Sequence, residues 1–133
     1  MNPPHAKILL VDDDPFFLKV LSDAFKENGF AVLTANDGIE GVKSFLENAP
    51  DAVISDLVMP RMGGVSTCME ISRLAGDDNP PIIALLTSMF QETPHEHDAP
   101  EMGAKVHIPK STKPLDIVII IEQLLERKRY QQG

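Results

Sequence analysis

The sequence predicts an α/β fold, a doubly wound, five-stranded parallel sheet with helices on both faces, in a single domain that spans residues 1–133. Short aliphatic stretches alternate with amphipathic stretches of helical period, which is typical of parallel strands joined by crossover helices. The aliphatic stretches are nearly unbroken, as in strands that are buried on both faces. With 133 residues and 43% hydrophobic content, the chain is long enough to form its own core.

Five aliphatic stretches are the predicted strands, and they are residues 7–11, 31–35, 52–55, 81–86 and, with a weaker pattern, 105–109. Four helices are predicted at residues 15–28, within 36–50, at 65–75 and at about 112–129. Pro15 suits a first helical turn, and Gly29 suits the position after a helix. Asn36 or Asp37 is the expected cap of the second helix. Residues 127–133 are predicted to be a frayed tail or a linker.

Charge and composition exclude several classes of function. The formal net charge of −8 argues against nonspecific binding to nucleic acid or to anionic lipid, because both require positive charge. No apolar stretch approaches the roughly 20 residues of a membrane span. A single cysteine, Cys68, excludes an internal disulfide and is compatible with a reducing compartment. We therefore expect a cytoplasmic domain with no membrane partner and no direct nucleic-acid contact.

Polar side chains follow the predicted strands at the points where the strands end, and they are Asp12, Asp13, Asp14, Asp56, Thr87 and Lys110. The carboxyl ends of parallel strands meet at one edge of a sheet, so these residues are expected to converge there. Clustered carboxylates suit Mg²⁺, although the aspartates after the first strand could also merely end that strand and cap a helix. With a metal, a hydroxyl and an ammonium, Asp56 would be suited to accept a phosphoryl group.

Four motifs together resemble a known family, and they are "ILLVDDDP", "ISDLVMPRMGG", "IIALLTS" and "GAKVHIPKSTKP". The chain resembles the receiver domain of two-component response regulators, the CheY-like fold, over essentially its whole length. The intervals between Asp13, Asp56, Thr87 and Lys110 are those that the family leads one to expect. The resemblance implies the strand order 2-1-3-4-5, in which the fifth strand is an edge and can accommodate Pro109.

Carried over residue by residue, the resemblance implies that Asp56 accepts a phosphoryl group from a histidine kinase or a phosphotransfer protein. Asp13, Asp56 and the Val58 backbone carbonyl would bind Mg²⁺ directly, and Asp12 would act through water. Thr87 and Lys110 would contact the phosphoryl group. The chain would catalyse only its own phosphorylation and dephosphorylation, so it is not expected to be an enzyme in the usual sense.

The same resemblance implies how the signal would leave the domain. Thr87 and His107 would form the switch, with His107 standing where the family commonly has a tyrosine or phenylalanine. The expected partners are an output domain or a downstream protein, and a phosphorylation-dependent homodimer is a further option.

Two departures from the family pattern affect these expectations. Ser111 follows Lys110, while the pair "KP" comes later, at Lys113, so two lysines compete for the role at the site. Counting from Gly103 favours Lys110. The family places its fourth helix in residues 88–104, where Pro100 would break it, so we predict a shortened or distorted helix there.

Three alternative functions remain at the level of sequence. Asp12 and Asp14 resemble the acidic pair of a haloacid dehalogenase-type phosphatase, but the second acidic pair that such an enzyme needs does not follow a later strand. A flavodoxin-like FMN carrier shares the predicted architecture, but three anions stand where its phosphate loop would be. A nonphosphorylated pseudo-receiver, acting purely as an interaction module, is the third alternative.

Overall fold

Each aliphatic stretch forms a strand of one parallel sheet in the computed structural model, which describes residues 6–59, 61–87 and 106–132. The strands are β1 (Lys7–Val11), β2 (Ala31–Ala35), β3 (Ala52–Asp56), β4 (Ile82–Thr87) and β5 (Val106–Pro109). The described helices are α1 (Pro15–Glu27), α2 (Gly38–Asn48), α3 (Gly64–Ala75) and α4 (Pro114–Gln132). The α/β class predicted from the alternation of elements is confirmed.

The strand order is β2-β1-β3-β4-β5, and all neighbouring pairs are parallel. This is the order that the resemblance implied. It makes β5 an edge strand, so Pro109 lies where a missing N–H costs no ladder hydrogen bond on the outer side. The prediction that β2 is buried on both faces is wrong, because Ala31 and Thr34 are exposed. As the other edge of the sheet, β2 has fewer elements to cover it.

The core has two layers because successive side chains of a strand point to opposite faces of the sheet. Ile8, Leu10 and Ile54 face one layer, which is completed by apolar side chains of α1 and α4. Leu9 and Val53 face the other layer, together with apolar residues of α3. Burying one such side chain stabilises the fold by about 1.5–3 kcal/mol, so the two layers hold the helices on both faces.

Cys68 belongs to the second layer and is fully buried in α3. Burial raises the pKa of its thiol to about 12, because the thiolate would lose its hydration there. The cysteine is therefore a core residue.

The helix starts follow local chemistry. Asp14 caps α1 by accepting hydrogen bonds from the backbone N–H groups of Phe16 and Phe17, and Pro15 occupies the first helical position. Of the two candidate caps of α2, Asp37 is the one that accepts from the Glu40 N–H, at 2.9 Å. The last helix begins two residues later than predicted, at Pro114, because the residue before a proline disfavours helical geometry.

The last helix also continues to Gln132, beyond the predicted end at residue 129. Residues 127–132 are therefore helical, and their role as a tail or linker stays a prediction. The buried face of α4 carries Ile117, Val118 and Ile121, whereas Leu115 and Ile119 are exposed. None of the helices in the described ranges combines the length and the apolar composition that a membrane span requires. The distorted helix predicted for residues 88–104 lies outside the described residues.

Candidate functional site

The ends of β1 and β3 bring three carboxylates together. Asp12 extends the ladder of β1, since its N–H donates to the Ala35 carbonyl at 3.1 Å. Asp56 is the last residue of β3, and the Leu57 N–H donates to the Leu86 carbonyl at 2.9 Å. Each of Asp12, Asp13 and Asp56 offers a carboxylate oxygen, and these three oxygens lie within 4.8 Å of one another. The predicted convergence of these aspartates is therefore present in the structure.

The carboxylates differ in burial. Asp12 is 1% exposed and Asp56 is 8% exposed, whereas Asp13 faces solvent. Burial raises the pKa of the Asp56 carboxyl above its usual range, and repulsion by Asp12 adds to the effect. The pKa of Asp12 is raised as well, chiefly by burial and against the opposing attraction of Lys110. The folded protein thus disfavours its own charged carboxylates, and a bound cation would relieve this.

Lys110 supplies one cation. Its Nζ lies 2.8 Å from Asp12 Oδ2 and 3.4 Å from Asp56 Oδ2. Burial lowers the pKa of this ammonium, but the bonds to Asp12 and Asp56 outweigh burial, and the net shift is upward. The competing candidate, Lys113, is exposed to solvent in the residue before α4. The structure therefore places Lys110 against the carboxylates.

Two further contacts position Lys110. Its backbone N–H donates to the Thr87 carbonyl at 2.7 Å, which continues the β4–β5 ladder past the end of the sheet. Its Nζ also lies 4.7 Å from the centre of the Phe17 ring, within range of a cation–π interaction. Phe17 thus packs against the core and also contacts the ammonium, and no local pattern in the sequence indicates the second contact.

Thr87 and His107 lie on adjacent strands at this edge. Thr87 is buried and comes one residue after Leu86, which is in register with Asp56. His107 is half-buried and in register with Leu85, two residues before Thr87. Because residues two apart on a strand point to one face, Leu85 and Thr87 share a face, and His107 is their neighbour on β5. The two predicted switch residues are thus close in the sheet.

The loop after Asp56, the 57–63 loop, leads to α3, and its described residues are 57–59 and 61–63. Val58 lies in it with 57% of the residue exposed. At the far end the Gly64 N–H donates to the Leu57 carbonyl at 2.9 Å, and a Cβ at Gly64 would lie 2.1 Å from the Asp56 carbonyl oxygen. Only a glycine lets α3 begin this close to the candidate phosphoacceptor. The sequence alone does not indicate this contact.

Asp14 lies outside the three-carboxylate cluster. Its exposed carboxylate accepts from the Phe16 N–H at 3.0 Å as the cap of α1. A phosphatase of the haloacid dehalogenase type would need Asp12 and Asp14 as its acidic pair, and the observed use of Asp14 as a cap does not favour that role.

Comparisons with known proteins agree on one family. The family model described as "Response regulator receiver domain" matches residues 8–122. The chain is 32% identical over 127 residues to the response regulator MprA of Mycobacterium sp. strain KMS, which is 96% of this chain and 54% of that protein. It is 33% identical over 121 residues to the probable transcriptional regulator ycf27 of Guillardia theta, covering 91% of this chain and 46% of that protein. The chain thus spans about half the length of these relatives.

Among solved structures, a response regulator receiver domain protein from Clostridium thermocellum matches with a TM-score of 0.79 and 28% identity, covering 95% of this chain and 98% of that one. The chemotaxis protein CheY4 of Vibrio cholerae matches with a TM-score of 0.79 and 24% identity, covering 90% and 98% of the respective chains. At 24% identity, the similarity to CheY4 shows a shared fold and no more.

Proposed function

Because the chain belongs to the response regulator receiver domain family, we propose that it is a signalling switch phosphorylated on Asp56 by a histidine kinase or a phosphotransfer protein. The observation that carries the proposal is the position of Asp56 at the end of β3, with carboxylates of Asp12 and Asp13 beside it and Lys110 Nζ at 3.4 Å. A carboxylate nucleophile needs such neighbours, because the incoming phosphoryl oxygens carry negative charge that must be neutralised.

The donor set fits Mg²⁺. Three carboxylates face one ammonium, so the cluster carries two more negative than positive formal charges, which a divalent cation balances. Hard oxygen ligands with room for water are what Mg²⁺ prefers. Asp13, Asp56 and the Val58 carbonyl would hold the ion directly, and Asp12 would act through water. When bound, the ion neutralises charge on the transferred group.

The proposed transfer is a single displacement. An oxygen of the Asp56 carboxylate forms a bond to the phosphorus of the donor phosphohistidine, the P–N bond breaks, and the imidazole leaves with its electron pair. Lys110 and the Thr87 hydroxyl bind the phosphoryl oxygens. Attack of water on the acyl phosphate later releases inorganic phosphate and restores Asp56. The domain therefore catalyses only its own phosphorylation and dephosphorylation.

Phosphorylation is proposed to change the balance between two conformations of the domain. The Thr87 hydroxyl would move toward the phosphoryl group, and His107 on the neighbouring strand would respond to it. An output domain or a downstream protein would bind one of the two conformations preferentially. A phosphorylation-dependent homodimer is a further proposed outcome of the change. The acidic composition favours protein partners over nucleic acid or anionic membrane surfaces. The cytoplasm is the proposed location, because the kinases and phosphotransfer proteins of two-component systems act there.

Intact mass measurement after incubation with Mg²⁺ and acetyl phosphate tests the proposal. We expect one added phosphoryl group on the wild type, and none on Asp56→Asn or in the presence of EDTA. Asp14→Asn is the matched control, because asparagine also caps a helix and Asp14 lies outside the cluster. No adduct on the wild type, even with a stable phosphoryl mimic, would favour the pseudo-receiver. Steady hydrolysis of simple phosphate esters would favour the phosphatase.

A further inference from the structure

An ion pair joins the loop after Asp56 to the start of α2. The Arg61 guanidinium, from the 57–63 loop, donates to Asp37 Oδ2, while Asp37 Oδ1 accepts from the Glu40 N–H as the cap of α2. The Asp37 side chain is 7% exposed and that of Arg61 is 62% exposed. The buried carboxylate thus holds the loop with one oxygen and the helix with the other.

The backbone of the loop is shaped around this contact. Arg61 has a φ of 66°, in the left-handed region that residues with a Cβ rarely adopt. The next residue, Met62, packs against Gly38, where an added Cβ would lie 2.5 Å from the Met62 carbonyl oxygen. Two consecutive loop residues therefore contact the cap and the first residue of α2. Such a conformation persists only where its surroundings hold it, and the ion pair is one of the contacts that do so.

The same loop carries Val58, three residues before Arg61. At its far end the loop is closed by the hydrogen bond from the Gly64 N–H to the Leu57 carbonyl. The exposed Val58 side chain gives its own backbone little packing, so the position of its carbonyl depends on its neighbours in the loop, of which Leu57 and Met59 pack in the second core layer. Met59, next to Val58, is buried in the second core layer, and the contacts of Arg61 and Met62 with the start of α2 hold the part of the loop between Met59 and α3.

We propose that the Arg61–Asp37 ion pair is a brace that fixes the 57–63 loop, so that the Val58 carbonyl is presented to the metal. Arg61 and Asp37 are then positioning residues for the metal-dependent phosphorylation of Asp56, acting through Val58 and touching neither metal nor phosphoryl group. The inference rests on the proposed function. It predicts a defect in Mg²⁺ affinity, which a loss of stability elsewhere in the domain would not produce.

Two substitutions remove the pair while preserving its surroundings. Asparagine tolerates a positive φ, so Arg61→Asn removes the guanidinium without penalising the backbone. Asparagine also caps helices, so Asp37→Asn keeps the hydrogen bond to the Glu40 N–H. Arg73→Asn is the control, because it removes an arginine whose ion pair with Glu70 is exposed and lies within α3, away from the loop. Arg61→Lys retains the charge and serves as the rescue.

The measurement is Mg²⁺ titration followed by ¹⁵N NMR, with the amide of Asp13 as reporter. We expect Arg61→Asn and Asp37→Asn each to raise the Kd for Mg²⁺ about fivefold, and the double variant to be no worse than either, because both remove one interaction. Arg61→Lys should recover most of the affinity, and Arg73→Asn should match the wild type. Phosphorylation by acetyl phosphate should be slow in the variants at low Mg²⁺ and normal at saturating Mg²⁺.

Each other outcome has a definite meaning. Wild-type Mg²⁺ affinity in Arg61→Asn and Asp37→Asn would overturn the brace and leave the proposed function standing. Additive losses in the double variant, or an equal loss in Arg73→Asn, would also overturn it. A wild type that binds no Mg²⁺ would overturn the proposed function and the brace together.

Discussion

Asp12 and Asp56 cost the folded protein free energy when they are ionised. Both are buried, and their carboxyl pKa values are raised above the ordinary value of 3.8, chiefly by desolvation. A raised carboxyl pKa means that the folded state disfavours the ionised form, so the cost is full above the raised pKa and vanishes below 3.8. In the metal-free protein, the buried carboxylates that the proposed phosphorylation requires therefore lower the free energy of unfolding.

Removing one of these charges should therefore stabilise the metal-free protein. We expect Asp56→Asn to raise the Tm in EDTA at neutral pH, and the gain over the wild type to shrink as the pH falls from the raised pKa toward 3.8. Thermal unfolding followed by circular dichroism across this pH range checks the prediction. Asp14→Asn, which removes an exposed carboxylate, should show no such gain. A lower Tm for Asp56→Asn at neutral pH would contradict the account.

A single methyl group at Gly64 should disrupt the same site. Its Cβ would lie 2.1 Å from the Asp56 carbonyl oxygen and 2.8 Å from Leu57 Cα, and backbone atoms cannot move aside cheaply. We expect Gly64→Ala to lower the free energy of unfolding by about 2 kcal/mol or more. Gly63→Ala is the control, since its nearest contact would be at 3.6 Å and its φ is −70°. Urea unfolding of both variants measures the difference, and equal losses would contradict the prediction.

At the scale of secondary structure, the site depends on where each element ends. β1 and β3 end at neighbouring positions of the sheet, which gathers the aspartates, and β5 ends one residue before Lys110. The N-terminal half of α1 adds the Phe17 ring next to the ammonium. Lys110 is therefore held by a strand end and a helix, whereas Lys113 precedes α4 and is exposed.

This difference predicts that only one of the two lysines affects Mg²⁺ binding. The ammonium of Lys110 occupies the carboxylate cluster in the absence of metal and repels a divalent cation. We expect Lys110→Gln to tighten Mg²⁺ binding about tenfold, because one close positive charge is removed. Lys113→Gln should leave the Kd for Mg²⁺ unchanged. Isothermal titration calorimetry of both variants tests this, and an equal response of the two lysines would refute the assignment of Lys110 to the site.

At the scale of the whole molecule, a doubly wound sheet separates the site from the core. The two apolar layers lie on the faces of the sheet, while the carboxylates lie at the carboxyl ends of its strands. Binding at these strand ends therefore adds stability without repacking the interior. A ligand that binds only the folded state stabilises it in proportion to the logarithm of its concentration over Kd. Mg²⁺ should therefore stabilise the entire domain.

The expected gain is about 2.7 kcal/mol at a Mg²⁺ concentration of one hundred times the Kd. Asp13→Asn should remove most of this gain and leave the metal-free stability nearly unchanged, because Asp13 is exposed. Urea unfolding with and without Mg²⁺ measures both quantities. Retention of the full Mg²⁺ effect in Asp13→Asn would show that the ion binds elsewhere.

Sequence patterns were sufficient for the elements and for most of the candidate site. The bounds of β1 and β2 agree with the prediction, and α3 begins one residue earlier than predicted. These features depend on local properties, such as branched aliphatic stretches, caps, prolines and glycines, which are visible in a short window. The aspartates and Thr87 could be grouped because strand ends of a parallel sheet meet at one edge.

Tertiary structure alone decided the contacts between distant segments. The exposure of β2 and the direct contact of Lys110 Nζ with Asp12 and Asp56 in place of Lys113 depend on which elements pack together. The same holds for the approach of Gly64 to the Asp56 carbonyl and for the ion pair between Arg61 and Asp37. Local chemistry selects helix or strand, but a contact across many residues forms only when the sheet brings both partners to the same place.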